Sequence, residues 1–411
     1  MRPRNELYAA SVLLIAALCF ARFALGHSAF ADPSHPTPKP PVCDPAPITG
    51  IDPAPDKGWG APADPGRRPV VQIAILLDTS NSMDGLIDQA RTQLWRIVNE
   101  FGRSERNGQH PQVEVALYEY GKASLPAQQG YIRRIAPFTT DLDGISEALF
   151  ALHTNGGDEY CGWVLRNAIH NLEWRPAREG DLRVIFIAGN EPFTQGPVDY
   201  RPICRDAAEK GIIVNTVFCG SAQEGSATGW ASGAALGGGR YLAIDQDQRQ
   251  VYVPAPQDDE IRTLNDKLNQ TYLPYGAQGG SMAQRQVAQD SACAGASSEA
   301  YIQRAEAKAN SAVYSNATWD LGDAVKGGKK VGSLDEKDLP AQVRAVPAAD
   351  RQAWVEKRVR ERQEIQDRIK TLSTQRQGYL ATHNTGGDRS LQAVVLQTVH
   401  EEGNAKGYVF K

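Results

Sequence analysis

Between residues 70 and 245, short and almost uninterrupted apolar runs alternate with segments whose apolar residues recur every third or fourth position. The runs are 70–77, 113–118, 182–187, 212–218 and 240–244. A strand that is apolar on both sides has to be covered on both sides, as happens when parallel strands are joined by crossover helices. The intervening segments supply such helices. Leu86, Ile87, Ala90, Leu94, Ile97, Val98 and Phe101 share one helical face, and so do Val164, Leu165, Ala168, Ile169 and Leu172. Shorter helices are expected over 142–152, 200–210 and 230–236, with Gly211 closing the second as a C-cap. The run 132–138 follows 113–118 with no helix between them, which predicts one antiparallel hairpin. The fold class expected is α/β, a doubly wound, mainly parallel, Rossmann-like sheet.

The first run stops at Asp78-Thr79-Ser80-Asn81-Ser82. One carboxylate and two hydroxyls thus sit at alternate positions where a buried strand ends. Hard oxygen donors of this kind suit Mg²⁺ or Mn²⁺, ions that keep several waters. The carboxyl ends of strands are also where open α/β sheets bind ligands. The same residue types also start helices as N-caps.

Asp78, Ser80 and Ser82 resemble the Asp-x-Ser-x-Ser motif of the metal-ion-dependent adhesion site in von Willebrand factor type A (vWA) domains. Further landmarks recur in order. Gly156-Gly157-Asp158 stands where vWA domains carry Gly-Gly-Thr, and 187–191 follows the central strand where they carry Thr-Asp-Gly. Ala231 through Gly237-Gly238-Gly239-Arg240-Tyr241 resembles their closing helix, turn and strand. The likeness covers roughly 68–272.

The resemblance implies that two serines and a threonine hydroxyl hold the ion, that the aspartates act mostly through water, and that an acidic residue of a protein partner completes the shell. Here Asp158 replaces the threonine, with Thr154 and Glu159 close by, and Gly189 replaces the second aspartate, with Asn190 and Glu191 just after it. The candidate ligands are therefore Asp78, Ser80, Ser82, Thr154, Asp158, Asn190 and Glu191, for Mg²⁺ or else Mn²⁺ or Ca²⁺. A directly bound Asp158 would tighten the hold on metal and weaken capture of an acidic partner.

Other chemistries find little support. Ser80 occupies the position where a haloacid-dehalogenase-type phosphatase needs a second aspartate. No Gly-x-Ser-x-Gly elbow and no GxxxxGK[ST] loop occurs. Cys161 has no histidine placed as its base, and no spacing suits zinc. The expectation is a binding protein, not an enzyme.

The flanks bear on location. Arg2 and Arg4, an apolar stretch over 8–21 and Ala29-Phe30-Ala31 read as a signal peptide over 1–31, implying export to the periplasm or cell envelope. Any membrane contact would be through an uncleaved N-terminal anchor. Residues 32–67 are a Pro-rich linker, and 281–411 a helical region, read as a helical hairpin or a coiled-coil segment, with helices near 298–315 and 349–378 and a loop over 320–348 between. A net charge of −4 gives no reason to expect nucleic acid as a partner. The function expected is divalent-cation-assisted protein–protein interaction or assembly. One alternative is a scaffold binding through its C-terminal helices with an inert metal site. A second is a metal-dependent envelope hydrolase.

Overall fold

The computed structural model describes residues 67–81, 83–244, 252–383 and 391–410. The signal peptide, the Pro-rich segment up to residue 66 and Ser82 lie outside the described residues.

Six strands form one sheet: β1 (Val70–Asp78), β2 (Gln112–Tyr120), β3 (Ile132–Thr139), β4 (Leu182–Gly189), β5 (Ile213–Cys219) and β6 (Gly238–Ile244). Their order is β3-β2-β1-β4-β5-β6. All neighbours are parallel except β2 and β3, the expected hairpin. The chain builds outward from β1 in one direction, then restarts with β4 on the other side of β1. The topological switch point therefore lies between the ends of β1 and β4, where Leu77 pairs with Ala188. The edge strand β3 exposes Arg133, Arg134 and Pro137. Two charges and a residue without an amide hydrogen discourage the addition of a further strand there.

Both faces are covered because successive residues alternate between two cores. Ile73, Val115, Leu117 and Val184 pack under α1 (Asp84–Arg103), α2 (Leu142–Phe150) and α7 (Asp258–Asn269). Ala74, Leu76, Tyr118, Ile185 and Ile187 pack under α3 (Cys161–Asn171) and α4 (Tyr200–Glu209). Two short helices, α5 (Ala222–Ala227) and α6 (Trp230–Leu236), lead into β6, and α6 adds Trp230 to the second core.

The helical region packs onto the sheet domain. It comprises α8 (Gly279–Ala296), α9 (Ser298–Ala309), α10 (Leu321–Lys326), α11 (Ala341–Arg344), α12 (Arg351–His383) and α13 (Leu391–Ala405). All the described residues belong to a single compact unit. Buried ion pairs join the layers. Arg304 on α9 donates to Asp143 on α2 at 2.7 Å and to Asp290 on α8 at 2.6 Å, while its guanidinium lies over the Trp95 ring of α1 at 4.7 Å. Arg376 on α12 donates to Asp258 on α7 at 2.7 Å and to Glu299 on α9 at 2.6 Å. The apolar stripe of α12 packs within the chain: α12 turns Arg362, Gln366, Ile369, Leu372, Ser373 and Arg376 inward, against α7, α9 and α10. The stretch 320–348, expected as a loop, contains α10 and α11. The C-terminal tail docks against α1 and the strand-like segment after it. Tyr408 is buried beside Phe101, and Val409 pairs with Glu105.

Candidate metal centre

Strand β1 delivers Asp78, fully buried, to the switch point. Its Oδ1 accepts the Ser80 backbone amide at 2.7 Å, so the chain turns sharply and Ser80 is buried as well. The Ser80 carbonyl accepts the Met83 amide at 3.1 Å and leads into α1. The loop after α2 docks on this turn: the Asn155 amide donates to the Thr79 carbonyl at 2.9 Å, and the Ala123 amide donates to the Gly156 carbonyl at 2.8 Å. A third loop, after β4, is fastened by the Gln195 side chain, which accepts the Glu159 amide at 2.7 Å. The three loops thus meet at this end of the sheet.

The acid they place beside Asp78 is Glu159, which is 4% exposed. The two carboxyls are within hydrogen-bonding reach of each other, and the Ser80 hydroxyl is within reach of both. Burial raises the Asp78 carboxyl well above the ordinary range, and the adjacent Glu159 raises it further. Burial raises Glu159 too. One oxygen of each, Asp78 Oδ2 and Glu159 Oε2, is buried without a hydrogen-bond partner. Leaving such atoms unsatisfied is costly.

Two glycines make the room. Gly121 has φ +81°, and a Cβ there would lie 2.7 Å from Asp78 Oδ1 and 2.8 Å from Glu159 Cγ. Gly189 is the residue that stands in place of the expected second aspartate. A Cβ on it would lie 3.3 Å from Asp78 Oδ2. Beneath the pair, the Tyr120 hydroxyl donates to the Ala188 carbonyl at 2.9 Å and lies 3.7 Å from Cys161 Sγ. Burial pushes the Cys161 thiol well up, which removes it as a thiolate nucleophile.

The other described candidates lie at the margin of this pair or point away from it. Asp158 is exposed, and its carboxylate accepts the Tyr160 hydroxyl at 3.2 Å, one residue out of phase with the buried Glu159. The Thr154 hydroxyl donates to Asp84 at 2.7 Å. Asn190 and Glu191 are half-buried where β4 ends. The Glu191 carbonyl accepts the Trp230 indole at 2.8 Å, and its backbone amide faces the Glu159 carboxylate. Of these two neighbouring acids it is Glu159, not Asp158, that the fold sets beside Asp78.

Among the described residues no cluster of three or more His, Cys, Asp or Glu side chains is built for a metal. The donor set is instead two carboxylates and one hydroxyl. Two buried carboxylate oxygens lacking any donor suit a small hard cation that fills its remaining positions with water. In this respect the residues present fit Mg²⁺ or Mn²⁺.

A doubly wound sheet with two buried acids at its switch point defines an α/β domain of the class whose sites lie at the carboxyl ends of the strands. Its family follows from the sequence match: residues 72–250 match the von Willebrand factor type A domain model, and this part of the chain is a vWA domain. Similar solved structures include the protein BatB from Bacteroides thetaiotaomicron, at 20% identity over 43% of this chain and 90% of that one, with a TM-score of 0.32. The SpRpn10 VWA domain matches at 14% identity over 44% and 90%, with a TM-score of 0.32. Proximal thread matrix protein 1 from the mussel byssus matches at 14% identity and a TM-score of 0.29, over 37% of this chain and only 36% of its own length. A search of curated proteins returns no significant match.

Proposed function

We propose that this chain is an exported binding protein whose vWA domain holds a divalent cation between Asp78, Ser80 and Glu159 and engages a protein partner at that edge of the sheet. The observation that carries the reading is the pair of partnerless buried oxygens, Asp78 Oδ2 and Glu159 Oε2. A divalent ion between them satisfies both at once. The basic, apolar and small-residue segments of 1–31 support export. Among the described residues no helix is long and apolar enough to cross a membrane.

With two carboxylates beside it the ion is largely neutralised. An acidic group on a partner then adds less than it would to an ion held by neutral hydroxyls alone. The ion's main work is to lock three loops into one binding surface.

Thermal melts of the full chain in EDTA and in Mg²⁺ or Mn²⁺ test this. Ion at one hundred times its dissociation constant adds about 2.7 kcal/mol. The wild type should gain stability and Asp78→Ala should not. Identical wild-type melts with and without ion would reject the site.

A further inference from the structure

Away from the sheet's edge, where α7, α8 and α9 meet, three side chains form a tight triangle. Lys308 on α9 is fully buried. Its Nζ lies 2.5 Å from Asn269 Oδ1, at the end of α7, and 2.7 Å from Asp290 Oδ2, on α8. The same Asp290 oxygen accepts Asn269 Nδ2 at 2.7 Å. Asn265 Nδ2 donates to it as well, at 3.0 Å, and Arg304 Nε donates to the other oxygen at 2.6 Å. A single carboxylate oxygen thus touches both an amine and the nitrogen of a carboxamide whose carbonyl the amine already addresses.

We propose that Lys308 and Asn269 join in an intramolecular isopeptide bond, with Asp290 as the proton carrier. Each part of the chemistry has its group in place. The Nζ–Cγ bond forms and the Cγ–Nδ2 bond breaks. Nζ gives up two protons by way of Asp290 Oδ2. Both leave on the departing nitrogen, so an ammonium ion and a carboxamide become a secondary amide and free ammonium. No oxidant, reductant or co-reactant is needed. Attack requires an unprotonated amine, and burial of Lys308 lowers its pKa toward that state. The three groups are held by separate helices in one packed core, so they are positioned before reaction rather than brought together by it. Arg304 and Asn265 fix the orientation of the carboxylate. The bond would tie the last helix of the vWA domain to the helical layer covalently.

Peptide mapping of the purified, denatured full-length chain decides the matter. Trypsin should yield a branched species joining 268–285 to 305–326, uncut after Lys308 and lighter than the two linear peptides together by one ammonia. Lys308→Arg and Asn269→Ala should each abolish it. Asp290→Asn should slow or prevent its formation in protein whose circular dichroism matches the wild type. Recovery from wild-type protein of the linear peptides 268–285 and 305–308 in full yield overturns the proposal. So does ammonia loss confined to 268–285, which would be cyclisation of the asparagine alone. The wild-type digest is decisive even if every variant fails to fold.

Discussion

Gly189 at the end of β4 lies directly against Tyr120 at the end of β2, passing beneath Asp78: a Cβ on the glycine would stand 2.6 Å from the tyrosine hydroxyl and 3.2 Å from the Asp78 Cβ. The position where the family resemblance leads one to expect an aspartate has no space for a side chain. Gly189→Asp should therefore destabilise the protein rather than complete its site. Overpacking of this kind costs about 1–3 kcal/mol. Urea unfolding would measure the loss, and Tyr120→Phe in the same chain should recover part of it by removing the oxygen that collides.

Neighbouring acids at 158 and 159 should behave as opposites. Asp158→Ala removes an exposed carboxylate bonded to Tyr160 and should leave Mn²⁺ binding unchanged. Glu159→Gln keeps the shape and removes one of the two buried charges. Calorimetric titration should show its affinity for Mn²⁺ reduced at least tenfold, corresponding to about 1.4 kcal/mol. Equal affinities in both variants would place the ion elsewhere.

The fused architecture predicts that residues 67–272 will not fold alone. Trp95 is buried beneath Arg304, and Asp143 and Asp258 point into the helical layer for their arginine partners. Removing that layer strips the cover from α1 and leaves these groups without it. The milder test is Arg304→Met in the full chain, which leaves Asp143 and Asp290 without their shared cation. Breaking one side of a buried pair costs about 3–5 kcal/mol. A cooperative near-native melt of the fragment would contradict the prediction.

Helix α13 should loosen as pH rises. Glu402 accepts the Asn215 amide at 2.8 Å, and burial lifts its carboxyl to about 7, against the downward pull of Asn215 and Arg240. The folded value lies above the unfolded value of about 4.3. Its stabilising contribution is thus complete below the unfolded value and lost as pH climbs through about 7. The effect is on the order of 4 kcal/mol at most. Hydrogen-exchange protection factors across α13, corrected for the intrinsic pH dependence of exchange, should fall between about pH 5 and about pH 8, and Glu402→Gln should flatten that fall.

The sheet was legible because its strands are apolar on both faces and because the strand-end pentapeptide is short and polar. The helices near 298–315 and 349–378 were legible too, but α8 and the polar packing of the helical layer were not. Helix α8 has no apolar stripe: its buried residues include Gln286, Gln289, Asp290 and Cys293. On α12, Arg362 and Arg376, which a sequence reading assigns to solvent, are buried against Asp320 and Asp258. Periodicity detects cores made by hydrophobic burial and misses those made by paired charge. Which acid lies beside Asp78 was open by one residue for a related reason. Asp158 and Glu159 offer the same chemistry, and only the backbone path between Asn155, anchored to Thr79, and the start of α3 decides which of them turns inward.

Arg67 and Tyr408 grip the same turn: the arginine pairs with Asp181 at 3.0 Å, and the tyrosine hydroxyl donates to the Gly180 carbonyl at 2.9 Å. That turn precedes β4, so it lies at the amino edge of the parallel strands, whereas Asp78 lies at their carboxyl edge. The described chain thus begins at the edge of the sheet opposite Asp78, and its C-terminal tail closes on that same edge.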